Sequence, residues 1–429
     1  MGWSARPPVR NARSTPARAF VTALAAVAAV ALLLWAPGAG AQAPPDSARA
    51  GAPAGSSDTT ATAPGLADSA ASAPPAGFLP ADWETLSAGL PEEAHFGPIF
   101  NFRYNRVDGA ALTLGGAVVT GDGALKVLYA SFTYAFARER GLYLFGFDVP
   151  LGDPMRFMVG GSYYRRTWTW DQWIVGETEN TIFGLVAQED YRDYWESAGV
   201  EGHASWTPGS DFALSVSARR ESQANLTTDA SFAIFKKPDG FRANPTIDEG
   251  DQGLVTVGLR VGPATLPAEG GTNFNLSYSR AGEPVEGDFE YGLATAALRT
   301  RVNFGHGQEA RARIITGSTL EGTLPSQQLL TLGGIGTLRG FGYMVLSGDQ
   351  SFLANGEYYH PVRRNVYAFA FLDWGASWFG RDNLGRQKPS LDGGIGIRLG
   401  QGPMAITAAR SLQSAGAPIL IGVRLGGSF

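Results

Sequence analysis

From Gly97 to its last residue the chain alternates apolar and polar positions with a period of two. In FALSVSAR, residues 212–219, Phe212, Leu214 and Val216 oppose Ala213, Ser215 and Ser217. In LVTVGLRVG, Val255, Val257, Leu259 and Val261 oppose Thr256, Gly258 and Arg260. TNFNLSYSR sets Phe274, Leu276 and Tyr278 against Asn273, Asn275, Ser277 and Ser279. The last segment, ILIGVRLGGSF, sets Ile419, Ile421, Val423 and Leu425 against Gly422, Arg424 and Gly426. One apolar face and one polar face is the pattern of a half-buried strand. Arg260, Arg398 and Arg424 all fall on the polar face.

The pattern predicts sixteen strands, at 97–104, 108–119, 124–137, 140–149, 154–167, 195–206, 210–221, 252–262, 271–281, 287–301, 308–318, 349–360, 364–374, 389–399, 403–411 and 418–428. Most exceed the roughly 5–6 residues of a globular strand and match the roughly 9–11 that a tilted strand needs to cross a bilayer. The connections sort by length. The long ones, 168–194, 222–251, 319–348 and 375–388, fall on one side; TGDG, LGDP, TPGSD, NFGHGQ, HPVRRN and GQGP fall on the other. Long outer loops and short periplasmic turns are the habit of transmembrane barrels. In that arrangement the apolar face meets lipid and the polar face lines the lumen. The alternative, an exported two-sheet sandwich, would turn the polar face to water.

The segment ahead of the strands fits export. Arg6, Arg10, Arg13 and Arg18 precede an apolar run from Phe20 to Trp35, followed by small residues around Ala39-Gly40-Ala41. Residues 1–41 read as a signal peptide. The run is about 16 residues, where a spanning helix wants about 20, so cleavage is expected rather than a membrane anchor. Residues 42–96 are expected to form a disordered Ala/Pro/Ser-rich linker with too little to bury, apart from a short helical turn in ADWETLSAGLPEEA. The third unit, 97–429, is the barrel domain.

Composition narrows the chemistry. The chain has 429 residues, 57 glycines, no cysteine and a formal net charge of −5. No disulfide or thiolate site is available, and no basic patch points to nucleic acid. His95, His203, His306 and His360 lack metal-ligand spacing. Glu201, His203 and Ser205 line up along one strand rather than converging on a reacting atom, so no catalytic residue is expected. Glu189, Asp190 and Asp193 lack the spacing of a calcium loop; neither a metal nor a cofactor is expected. Trp168, Trp170 and Trp173 suggest an outer aromatic girdle.

One stretch does not fit a strand. TLGGIGTLRGFGYMVLSGD, residues 331–349, is glycine-rich and carries Arg339 near its middle. Such a loop folds back easily, and an arginine carried into a low-dielectric lumen needs a carboxylate. The acidic candidates are Asp373, in step with Phe371 and Phe369, and Glu357, in step with Asn355 and Leu353.

At these residues the sequence resembles the BamA/TamA surface-antigen superfamily of outer-membrane barrels. The resemblance rests on GTLRGF at 336–341 and FLDWG at 371–375. It implies an all-β, 16-strand antiparallel transmembrane β-barrel with an inward-folded glycine-rich loop, its first and last strands meeting at a weak seam. By resemblance, Leu338, Arg339, Gly340 and Phe341 form the lumen loop tip, Arg339 pairs with Asp373 and Glu357, and Phe371 and Gly375 complete the strand motif. The family's functions, insertion and transport of polypeptides at the outer membrane, become the expectation here; a passive channel or structural barrel is the alternative. The region before residue 97 is short for the POTRA domains of principal members, and no GxSxG hydrolase motif accompanies the barrel, which suggests a stand-alone branch.

Val423, Leu425 and Phe429 resemble the C-terminal sorting signal read by the barrel-assembly machinery. Physically it is an edge able to pair by strand addition. Outer-membrane lipid, that machinery and a polypeptide substrate are the expected partners, and the bacterial outer membrane is the expected location.

Overall fold

A computed structural model describes residues 95–120, 126–151, 156–267, 269–400 and 404–425. The expected signal peptide, all but the end of the linker, and Phe429 lie outside the described residues.

The strands are β1 (His95–Asn105), β2 (Gly109–Thr120), β3 (Lys126–Ala135), β4 (Arg140–Leu151), β5 (Phe157–Trp168), β6 (Trp195–Gly209), β7 (Phe212–Ala224), β8 (Gly250–Val261), β9 (Gly270–Ala281), β10 (Tyr291–Gly305) and β11 (Gln308–Gly322). After a short hairpin of β12 (Leu330–Leu332) and β13 (Leu346–Gly348) come β14 (Gln350–Arg363), β15 (Val366–Trp378), β16 (Ser390–Leu399), β17 (Ala405–Ser411) and β18 (Leu420–Arg424). Among the described residues one α-helix, α1 (Glu177–Ala187), lies in the β5–β6 connection. Sixteen strands form a single antiparallel meander in sequence order from β1 to β18, skipping the β12–β13 hairpin, which pairs only with itself.

The polarity of this sheet is inverted relative to a water-soluble core. Along β7, Leu214 and Val216 are exposed while Ser217, Arg219, Glu221 and Gln223 are buried. The same alternation puts Phe100, Phe145, Phe147, Leu372, Trp374, Ile395 and Ile397 outside. Buried polar groups satisfy one another inside: Glu221 accepts from Tyr164 Oη at 2.7 Å and Ser197 Oγ at 2.6 Å, and Gln252 Nε2 donates to Tyr291 Oη at 2.8 Å. Exposed apolar area of this extent is favourable only against another apolar phase. The fold is thus a 16-strand antiparallel barrel of the transmembrane type.

The connections sort as the period-two pattern requires. Those at 169–194, 225–249, 323–349 and 379–389 lie at one end, and those at 210–211, 306–307 and 364–365 at the other. The tenth barrel strand begins at Tyr291 rather than 287, because 282–290 is taken by a turn held by a Gly282–Val285 bridge.

Candidate functional site

The β12–β13 pairing, Leu330 with Gly348 and Leu332 with Leu346, ties the two ends of the loop that follows β11. Its tip then curls tightly. Gly334 and Gly336 both have φ of +82°, a region that side chains with a Cβ rarely adopt. Gly334 N–H donates to the Leu338 carbonyl at 3.0 Å, and Gly333 N–H donates to Thr337 Oγ1 at 2.9 Å. Leu338 is fully buried with Leu332 and Leu353, and Phe341 packs against this cluster. Gly340 has a separate reason to be glycine. A Cβ there would lie 2.6 Å from both the Arg410 carbonyl carbon and Asp392 Cβ, so the backbone is pressed against the β16–β17 wall.

This places Arg339 inside the barrel. Its Nε and Nη2 donate to Asp373 Oδ2 and Oδ1, each at 2.7 Å, and its Nη1 donates to Glu357 Oε1 at 2.5 Å. The planar fork suits one carboxylate bidentately and reaches a second. The guanidinium also lies over the Phe371 ring, 3.6 Å from its centroid. Burial works against the charge; Asp373 and Glu357 outweigh it, so Arg339 is held protonated more firmly than a free arginine. Gly375 completes the seat: a Cβ there would lie 2.7 Å from the Phe352 carbonyl oxygen and 3.2 Å from Leu332 Cδ1. The structure therefore brings together Leu338, Arg339, Gly340, Phe341, Glu357, Phe371, Asp373 and Gly375.

A supporting layer escapes sequence reading. Asn355, opposite Asp373 in the β14–β15 register, donates to Asp373 Oδ1 and to the Thr337 carbonyl, both at 2.8 Å. Arg313 donates from Nη2 to Asn355 Oδ1 at 2.8 Å and to the Gly336 carbonyl at 2.5 Å. Tyr359 Oη donates to Glu357 Oε2 at 2.6 Å. Asp392 is fully buried and faces Asp373 directly across β15–β16. The signal for Asp392 and Asn355 was cross-strand register, which alternation alone does not supply. A column of arginines also lines β10–β11, with Arg299 opposite Arg313 and Arg301 opposite Arg311; Glu309 holds Arg301 and Arg311.

Other candidates find structural partners. His203 Nε2 lies 2.8 Å from Asp148 Oδ1, across a gap kept open by Gly160. Asp190 and Asp193 surround Arg106, and Glu189 pairs with Lys237, so these carboxylates are engaged by cations. Trp170 and Trp173 do not belong to an outer girdle: both line an interior cavity with Leu254, Tyr291 and Leu330. The long β5–β6 connection folds inward and carries them there. Val423 pairs with Ile406 on β17, the Leu425 N–H is held by Glu179, and Phe429 lies outside the described residues.

No family model and no curated protein matches this sequence. Among solved structures, the chain is similar to BamA from Haemophilus ducreyi lacking POTRA domains 1–3, at a TM-score of 0.51 and 12% identity, covering 78% of this chain and 69% of that one. It also aligns with CdiB from Acinetobacter baumannii (TM-score 0.43, 14% identity, 78% of this chain and 60% of that one). CdiB from Escherichia coli aligns at a TM-score of 0.43 and 15% identity, over 78% of this chain and 62% of that one. At such identity the likeness to BamA is one of fold.

Proposed function

We propose that this protein, on a fold of the BamA type, works in the bacterial outer membrane as a barrel for inserting or translocating polypeptides, without enzymatic chemistry of its own. The observation that carries the reading is the Arg339 loop tip, locked inside the barrel by three side-chain hydrogen bonds to Asp373 and Glu357. A loop that only capped a pore mouth would not need a buried, doubly paired cation. This one is fastened to the β14–β15 wall and braces the lumen from inside. Its partners on this reading are outer-membrane lipid, the assembly machinery that recognises the Val423, Leu425 and Phe429 edge, and an extended polypeptide as substrate.

Depletion of the protein tests the proposal. The expected result is loss of particular barrel or exported proteins from the outer membrane, with the rest unchanged. An unaltered outer-membrane proteome, together with steady single-channel conductance of the purified protein, would establish the passive-channel alternative instead.

A further inference from the structure

Among the described residues, β1 pairs only with β2, and β18 only with β17. In an antiparallel ladder the N–H and C=O of one residue point to the same side, and the side alternates along the strand. The Ala110 carbonyl accepts from Phe136 N–H on the β3 side, so Tyr104, opposite Ala110, turns its own N–H to the open edge of β1. The Met404 carbonyl accepts from Leu399 N–H on the β16 side. Through Ile406, its partner Val423 turns its N–H to the open edge of β18, and the same alternation carried one step past the last paired residue, Arg424, turns the Leu425 N–H to that side.

Both open-edge amides end on α1. Tyr104 N–H donates to Thr181 Oγ1 at 3.1 Å, and Leu425 N–H donates to Glu179 Oε1 at 2.7 Å. The same Glu179 oxygen accepts from Arg424 Nε at 3.0 Å, and Asn101 Nδ2 on β1 donates to Glu177 Oε1 at 2.7 Å. Residues two apart on an α-helix project about 200° apart, so Thr181 and Glu179 reach to opposite sides of the helix. Edge amides point along the wall rather than into the lumen. The helix that satisfies one from each strand therefore stands between them. Gly184 lets it approach β1: a Cβ there would lie 3.1 Å from the Tyr104 ring.

The other two faces agree. Asn180 bonds Asp190, and Phe183 packs edge-on against Tyr191, which contacts Tyr343 of the lumen loop. That side faces inward. Thr178, Ile182 and Leu185, spaced i, i+4 and i+7 on the opposite side, are exposed or half-buried.

We propose that α1 is a wedge in the β1–β18 seam, closing the wall there and presenting Ile182 and Leu185 to lipid. It serves as a latch: its withdrawal frees the edges of both strands at once. The lipid-facing part rests on the outer-membrane reading; the seating of the helix between the two edges does not. Unsatisfied edge amides are unfavourable in hydrocarbon, and α1 supplies acceptors that a side-chain movement can remove.

The cysteine-free chain allows a direct test. In the full-length protein in detergent, the pairs N101C/E177C and R424C/E179C, where the native side chains meet at their tips, should each be closed to near completion by a short bifunctional thiol cross-linker. Failure of either pair to close overturns the wedge. In E179A/T181V, amide hydrogen exchange of segments 101–106 and 420–425 should quicken at least tenfold, with β9 to β11 unchanged. Exchange equal to the parent overturns the latch. Both readouts follow wall geometry, so their failure rejects the wedge alone, whereas an unchanged outer-membrane proteome on depletion rejects only the polypeptide-handling function.

Discussion

At the scale of single residues, the interior is organised around one guanidinium. Arg339→Ala would leave Asp373 and Glu357 buried without their cation, a change of about 3 kcal/mol or more when one member of a buried pair is lost. The expected outcome is a lower unfolding temperature and faster proteolysis within 333–345. The double variant Arg339→Ala with Asp373→Ala should be less harmful than the two single effects summed, since neighbours in one network do not add; strict additivity would refute the contact. Gly340→Val tests a different cause. Its side chain meets the hard wall at Arg410 and Asp392, so the tip should be displaced, at about 1–3 kcal/mol, with all charges still present. Arg339, Asp373 and Glu357 were legible in the sequence as a charge in a glycine-rich loop and acids on the next two strands, their pairing being implied by the resemblance that GTLRGF and FLDWG carry. Asn355 and Asp392 were not, because which residues face each other across a wall is set by register.

At the scale of elements, strand existence is legible because each ribbon shows one face to the outside and one to the lumen. The β5–β6 connection was less so, since its tryptophans enter the lumen cavity and its helix enters the seam. This connection also has its own pH dependence. Asp171 is buried beside Asp193, whose N–H it accepts at 2.6 Å. Burial first, and then the like charge of Asp193, push its carboxyl up to about 7 from an ordinary 3.8. Between those values the folded connection binds a proton that the unfolded one does not, so stability falls as pH rises through the window. Asp108, in the β1–β2 turn, shifts oppositely: burial is outweighed by Arg103 and hydrogen bonds from Thr167 and Asn105, and its contribution is lost only below about pH 4. Proteolysis of 169–194 should therefore be faster at pH 8 than at pH 5. Asp171→Asn should flatten that profile; a profile equally steep in the variant would assign it elsewhere.

At the scale of the whole molecule, the inverted polarity decides behaviour. Produced without residues 1–41, the protein should be monodisperse only in detergent or lipid; a monodisperse sample in plain buffer would reject the membrane barrel. With the loop of 333–345 seated, pore conductance should be small and intermittent, and Arg339→Ala should raise it in a planar bilayer. The one-sided sorting of connections has a practical corollary. The last large-side turn, at 412–419, has an exposed crest, and a side chain at Gly416 would meet nothing within 4 Å. An epitope spliced in at Gly416 should be displayed to antibodies on intact cells, turning the barrel into a reporter of its own orientation.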